Sequence, residues 1–224
     1  MPSAWSGFFA EYGGLLSQGT LDTLAMLFVS TGIAYLIGTV LGVVLYLTSP
    51  IGLRPHRVFN GVLGWIINMA RSIPFIILLV ALMPTTRALV HTTTGVIGVT
   101  PPLVASAAPF VARMIEQSLA EVPRDTLESV ISFGASMPRI VLSALLPEAL
   151  PSIVRGVSIT LISVLGYTAI AGAVGAGGLG DIAIRYGYYR YEDQVMVVTV
   201  VLLIVLVQII QTVCNLIAER IDHR

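Results

Sequence analysis

Five apolar stretches, each about 20 residues long and nearly free of charge, constrain this chain more than any other feature. They run roughly from Leu24 to Leu47, Gly61 to Met83, Val96 to Met114, Pro151 to Ala176 and Val195 to Leu216. A helix of about 20 apolar residues crosses the hydrocarbon core of a bilayer, where only helices and closed barrels satisfy their own backbone groups. The expected fold is therefore all-α integral membrane, with five transmembrane helices per subunit. Only 11% of the 224 residues are charged, against about 25% in a soluble domain, which leaves little chain for a soluble domain. A single membrane domain over 21–218 is expected, preceded by an extracytoplasmic or interfacial segment 1–20 and followed by a cytoplasmic tail 219–224. Segment 1–20 contains Trp5, Phe8, Phe9 and Glu11 but no arginine, so it lacks the positive start of a secretory signal and reads as retained.

The basic residues narrow the chemistry. All twelve are arginine, which removes Schiff-base lysines and the lysine of a phosphate-binding P-loop. Formal charge is zero with no basic run, so the electrostatic footprint of a nucleic-acid binder is missing. Cys214 has no intrachain partner, and its bland reading is a small core hydrophobe. His56, His91 and His223 lie in loops or at the end of the chain without metal-ligand spacing.

Five spans put the two termini on opposite sides. With the C-terminus in the cytoplasm, Arg54, Arg57, Arg124, Arg139, Arg155, Arg220 and Arg224 fall inside, with Arg113 at the inner end of the third span. Arg87, Arg185 and Arg190 fall outside. The positive-inside bias favours this orientation, with the N-terminus outside and the long polar segment Glu116 to Glu148 cytoplasmic. The third span contains Pro101, Pro102 and Pro109, so an irregular start is expected there. No internal repeat is evident, so a pathway needs a second copy of the chain. Gly32, Gly38, Gly42, Gly166 and Gly172 recur at helical spacing, suited either to a subunit interface or to internal packing.

Within the cytoplasmic segment, Asp125 and Glu128 have capping-box spacing, and Leu127, Val130, Ile131 and Gly134 fall on one helical face. Gly134 is a natural stop. A second short helix is expected over Ile140 to Leu146, ended by Pro147. The apolar face of the first either packs on the chain's own spans or receives a partner. The run Glu128-Ser129-Val130, three residues, Gly134, nine residues, Ala144-Leu145-Leu146-Pro147 resembles the EAA signature of ABC importer permeases, with Ser129, Val130 and Ala144 replacing the usual residues. The stretches 71–79, 107–114, 146–151 and 172–180 extend the resemblance over nearly the whole chain. They are most similar to methionine-importer permease subunits, which also have five spans.

The resemblance implies a bacterial inner-membrane subunit, not an enzyme, which works as a homodimer. Its implied partners are two cytoplasmic ATPases, which bind ATP and magnesium in its place, and an extracytoplasmic binding lipoprotein that delivers methionine. It implies a coupling loop over 119–148, with Glu128, Gly134, Ala135, Leu146 and Pro147 engaging the ATPase.

Arg71 stands about ten residues into the second stretch, roughly 15 Å along a helix. An arginine at that depth costs at least about 2.5 to 3.5 kcal/mol and calls for a partner. An ion pair or a carbonyl-bonded guanidinium is one reading, a substrate contact the other. Pro74 should kink the same helix. In the fourth stretch Ser158, Thr160, Ser163, Tyr167 and Thr168 either bond within the helix bundle or line a pathway, with Tyr167 and Ile170 as candidate gate residues by position and by resemblance. Gly178-Leu179-Gly180-Asp181 matches the GxGD signature of intramembrane aspartyl proteases, but those need a second membrane aspartate to share the proton. An ATP-independent channel or secondary transporter is the remaining alternative; it calls for membrane-buried carboxylates or another ion-coupling group near midplane, and the five stretches contain no carboxylate.

Overall fold

The structure, a computed structural model, describes residues 2 to 221, with side chains from Gly7 onward. Trp5, His223 and Arg224 lie outside those descriptions, as does the tail beyond Ile221. Among the described residues there are helices and turns but no strand. In chain order the helices are α1 (Pro2–Thr48), α2 (Arg57–Ser72), α3 (Phe75–Val90), α4 (Gly95–Ala120), α5 (Arg124–Ser132), α6 (Met137–Ile140), α7 (Leu146–Gly172), α8 (Gly178–Ile182) and α9 (Asp193–Ile221). Among the described residues, four unbroken helical stretches are long and apolar enough to cross a membrane, Gly7–Thr48, Gly95–Ala120, Met137–Gly172 and Asp193–Ile221, and α2 with α3 makes a fifth if the bent pair counts as one.

The first span is much longer than its apolar stretch. At 47 residues α1 extends about 70 Å at 1.5 Å per residue, and it passes residue 20 without a break. Segment 1–20 is thus continuous with the span. The helix ends at Thr48 because Pro50 cannot continue it. Its last carbonyls are then covered by side chains: Asn60 Nδ2 donates to Leu45 O at 2.8 Å, and Ser49 Oγ to Tyr46 O at 2.8 Å. The last span also outruns its apolar stretch, starting at Asp193 and remaining helical into the expected tail, to Ile221.

Pro74 bends the second stretch more sharply than a kink, whereas the later prolines leave their helices intact. The stretch Gly61 to Met83 is not one kinked helix: α2 and α3 meet at 104° across Ile73 and Pro74. Pro74 lacks the N–H that would bond Ala70 O and biases Ile73 away from the helical region. It serves as the N-cap of α3 at φ −57°, ψ 135°. By contrast, Pro101, Pro102 and Pro109 do not disturb α4, which is helical from Gly95 to Ala120. Nor does Pro147 end a helix, since Met137 to Gly172 is one continuous helical stretch. A π-helical turn over Val141–Leu145 precedes it, with Leu146 N–H bonding back five residues to Val141 O. The widened turn changes the register just where Pro147 has no N–H to give.

The chain packs as two compact units. Unit one holds residues up to Ile33, Ile73–Ser106 and Leu161–Ile210; unit two holds Ala34–Ser72, Ala107–Thr160 and the chain from Gln211 on. In unit two, Gly38 and Gly42 of α1 lie flat against α4. A Cβ on Gly42 would stand 2.6 Å from Ala112 O and 2.6 Å from Ile115 Cβ. Leu45, Ile67 and Ala112 form the adjoining core. Arg113 ties α4 to α2: Nη1 donates to Glu116 Oε2 at 2.6 Å and Nη2 to Gly64 O at 2.9 Å, and the pair is about four-fifths buried. Arg113→Ala should therefore lower stability by about 3 kcal/mol, because Glu116 is left charged and unpaired. Arg113→Met with Glu116→Leu should be milder, as both charges go together. Thermal unfolding of the purified chain in detergent measures both, and a double variant no more stable than the single one would contradict the pair's role.

In unit one, the glycine-rich exit of α7 is a tight hairpin against α1. Gly177 and Gly178 take φ of +78° and +80°, where side chains are strained. Thr23 Oγ1 accepts the Leu179 N–H at 2.9 Å while donating to Gly19 O at 2.9 Å. Gly172 packs on the backbone of Gly180 and Asp181. The two readings of the spaced glycines thus divide. Gly38, Gly42 and Gly172 serve internal packing, while Gly32 and Gly166 face open space, with no atom within 4 Å of an added Cβ.

Candidate functional site

The loop between α4 and α7 belongs wholly to unit two. Three side chains anchor it: Leu127 and Ile140 at 3% exposure and Leu145 at 0%. With these inward, α5 has its acidic residues outward, Asp125 and Glu128 both being exposed. The capping box does not form. Pro123, not Asp125, is the N-cap, and no side chain caps the helix. Proline pre-sets the entry dihedral, which leaves Asp125 in the first turn, where a carboxylate still favours the helix dipole.

Gly134 does stop α5, as its position predicts. It takes φ +72°, and its N–H bonds Ile131 O at 2.9 Å. No atom lies within 4 Å of where its Cβ would stand, so the demand for glycine is conformational and not steric. The turn throws Phe133 outward to 89% exposure, beside Ile131 at 44%, with Leu142 at 67% farther on. Leu127 thus packs within unit two, as one reading of the α5 face expects, while these three side chains stay exposed. The exposure of Phe133 was not legible in the sequence, because helical periodicity assigns no face to a residue at a helix end. Ala135 and Leu146 are half-buried and Pro147 is exposed. Where the loop returns to the spans, Ser118, Glu121, Glu148, Ser152 and Arg155 line a polar cavity of about 140 Å³.

The candidate pathway residues divide in the same manner. Thr160 donates to Gly156 O at 2.9 Å and meets Tyr35 Oη at 3.2 Å; Thr168 donates to Leu165 O at 2.7 Å. Both are satisfied within the bundle, and Ser158 is buried. Ser163, Tyr167 and Ile170 remain, spaced i, i+4 and i+7 on one face of α7. Tyr167 stacks on Phe75 with ring centroids 4.7 Å apart, and Ile170 is 42% exposed.

Arg71 is not buried midway along a helix. It occupies the last turn of α2, exposed, with its guanidinium carbon 5.7 Å from the Phe110 ring centroid. Its charge is favoured there by the helix C-terminus and the ring face, and no ion pair or carbonyl partner is present among the described residues. The break at Pro74 is the physical reason. Asp181 of the GxGD run is buried and paired with Arg185, while Asp22 accepts from Gln18 Nε2 at 2.9 Å. Neither is arranged as a carboxylate dyad sharing a proton.

The described residues thus combine several long apolar helices with a polar loop that carries exposed apolar side chains. The family model for binding-protein-dependent transport system inner membrane components matches residues 34–224. The chain belongs to this family. It is an inner-membrane, multi-pass transport component and not an enzyme. The Vibrio cholerae protein named Probable D-methionine transport system permease protein MetI is 46% identical over 217 residues, covering 97% of this chain and 96% of that one. The Methionine import system permease protein MetP of Bacillus subtilis is 40% identical over 180 residues, 80% of this chain and 81% of the relative. Among solved structures, a chain from an inward facing conformation of the MetNI methionine ABC transporter superposes with a TM-score of 0.93 at 44% identity, over 95% of this chain and 98% of that one. A chain of an amino acid ABC transporter crystallised with histidines shares the fold, with a TM-score of 0.76 at 19% identity.

Proposed function

We propose that this chain is the permease subunit of an ATP-driven importer that admits methionine or a related amino acid to the cytoplasm. The geometric observation that carries the reading is the loop's exposed apolar surface: Phe133, held 89% exposed at the end of α5 by the positive-φ turn at Gly134, with Ile131 and Leu142 also exposed. Apolar surface of this kind, where contiguous, marks an interaction site. A methionine cargo is supported by near-full-length likeness to proteins named for methionine transport.

In this reading two copies form the membrane pathway, and two cytoplasmic ATPases bind ATP and magnesium. An extracytoplasmic binding lipoprotein delivers the substrate. The five spans are α1, the bent pair α2–α3, α4, α7 and α9, with the N-terminus outside and the coupling loop 119–148 in the cytoplasm. Domain 21–218 is then the membrane domain, with 1–20 extracytoplasmic or interfacial and 219–224 cytoplasmic. Glu128, Gly134, Ala135, Leu146 and Pro147 belong to the docking surface, and ATP-driven closure of the ATPases carries the loop with it as a rigid element. Ser163, Tyr167 and Ile170 face the pathway, with Arg71 at its rim, and weak contacts there suffice to pass the solute along.

Purification of the chain from its host, with mass spectrometry of bound subunits and uptake of labelled methionine, tests this reading. Two copies with two ATPases and ATP-dependent uptake are expected. A stable oligomer that transports without ever carrying an ATPase would support the channel or secondary-transporter alternative instead.

A further inference from the structure

Unit one carries a polar cluster and an apolar groove that the transport reading leaves unused. The π-helical turn Ala183–Tyr188 and the residues after it present Tyr188, Tyr189 and Tyr191, which are 65%, 69% and 84% exposed. Arg190 lies over the Tyr186 ring at 4.5 Å, and Tyr186 meets Tyr12 edge-on at 6.1 Å. Glu192 N–H bonds Tyr186 O at 3.1 Å. The Tyr12 hydroxyl lies within electrostatic reach of Glu11, Glu192 and Arg190. Arg185 is engaged by Asp181, whereas Arg190 is exposed and carries its charge to the surface.

Tyr12 and Tyr186 pack on an apolar cluster of Phe8, Leu16, Ile182 and Val195, which Val198 and Leu202 also join. Leu16, Val198 and Leu202 are at the same time walls of an open apolar groove of about 500 Å³, completed by Phe9, Gly13 and Val201. Its α1 wall extends from Phe9 to Thr20, about 17 Å of helix. That length is close to one leaflet's share, about 15 Å, of the hydrocarbon core.

We propose that this groove holds one phosphatidylethanolamine molecule, with an acyl chain against Gly13 and Val201, the phosphate at Arg190 and the ammonium at Glu11 and Glu192. The mixture of charges selects the headgroup. An anionic lipid would meet Arg190 but also Glu11, Glu192 and Asp193, like charges that oppose it. A zwitterion finds both signs. A primary ammonium donates hydrogen bonds to carboxylates, as a lysine head does, and a quaternary choline cannot. Exposed tyrosines are at home at headgroup depth.

The full-length chain, purified and delipidated, is exposed to vesicles of phosphatidylethanolamine, phosphatidylglycerol or phosphatidylcholine and read by native mass spectrometry. One retained lipid per chain is expected, with phosphatidylethanolamine preferred by about fivefold, the worth of an exposed ion pair. Glu192→Gln and Arg190→Gln should each erode that preference. Gly13→Phe, whose side chain enters open groove space, should abolish retention; Val201→Trp fills the groove from the other wall if Gly13→Phe does not accumulate. Equal retention of the three lipids, or unchanged retention in the groove-filling variants, overturns the proposal. So does a Gly13→Cys disulfide between two chains, which would make the groove an interface between copies.

Discussion

Phe133→Asp is expected to insert and fold like the parent chain yet lose ATPase partners and most methionine uptake. At 89% exposure the ring contributes almost nothing to folding of the isolated chain, so its replacement should leave the unfolding midpoint nearly unchanged. A buried aromatic at the centre of an interface is commonly worth about 2 kcal/mol or more, so affinity for the ATPase should fall by about thirtyfold or more. The neighbouring turn gives a graded companion test. Gly134 sits at φ +72° with open space around its Cβ. A β-branched residue there is strained by roughly 1 to 2 kcal/mol, while asparagine tolerates the conformation. Gly134→Val should therefore impair coupling and Gly134→Asn should largely preserve it. Pull-down of the ATPase and uptake in vesicles report both, and full uptake by Phe133→Asp would remove the docking role.

Gly42→Leu should prevent accumulation of folded protein altogether. The obstacle is backbone: even a methyl on Gly42 would stand 2.6 Å from Ala112 O, and a carbonyl oxygen in a helix cannot turn aside. Gly42→Ala should already cost about 1 to 3 kcal/mol through overpacking, outweighing the gain of up to about 1 kcal/mol in helix propensity. Gly32, on the same helix but with nothing near its Cβ, is the control, and Gly32→Ala should be neutral or slightly stabilising. Equal unfolding midpoints for Gly42→Ala and Gly32→Ala in detergent would show that the α1–α4 contact does not limit stability.

These two sites show unequal legibility. The spacing of Gly38 and Gly42 marks a small-residue stripe, but Gly32 and Gly166 share the same pattern and face open space. Spacing places residues on a helix face; it does not say what that face meets. Gly134 was readable because the demand for positive φ is local and follows the last turn of α5. Phe133 was not, because its exposure depends on how Leu127 and Ile140 anchor the loop. Asn60 and Thr23 escaped notice for a related reason: each bonds a backbone group far away in sequence, at Leu45 and Leu179.

By itself the sequence determined the membrane class, the apolar stretches, the lack of any lysine for an ATP site and the positive-φ turn at Gly134, with a family resemblance carried by Glu128, Gly134 and Pro147. Each of these follows from hydrophobicity, residue chemistry or short-range spacing, which act within a few turns of chain. Tertiary structure alone decided how each proline behaves: Pro74 parts α2 from α3, while Pro101, Pro102 and Pro109 lie within an unbroken helix. It also decided that Arg71 ends a helix beside Phe110, and which glycines touch backbone. Those outcomes rest on what covers a freed carbonyl or faces a glycine that has no side chain, and that is supplied by residues distant in the chain.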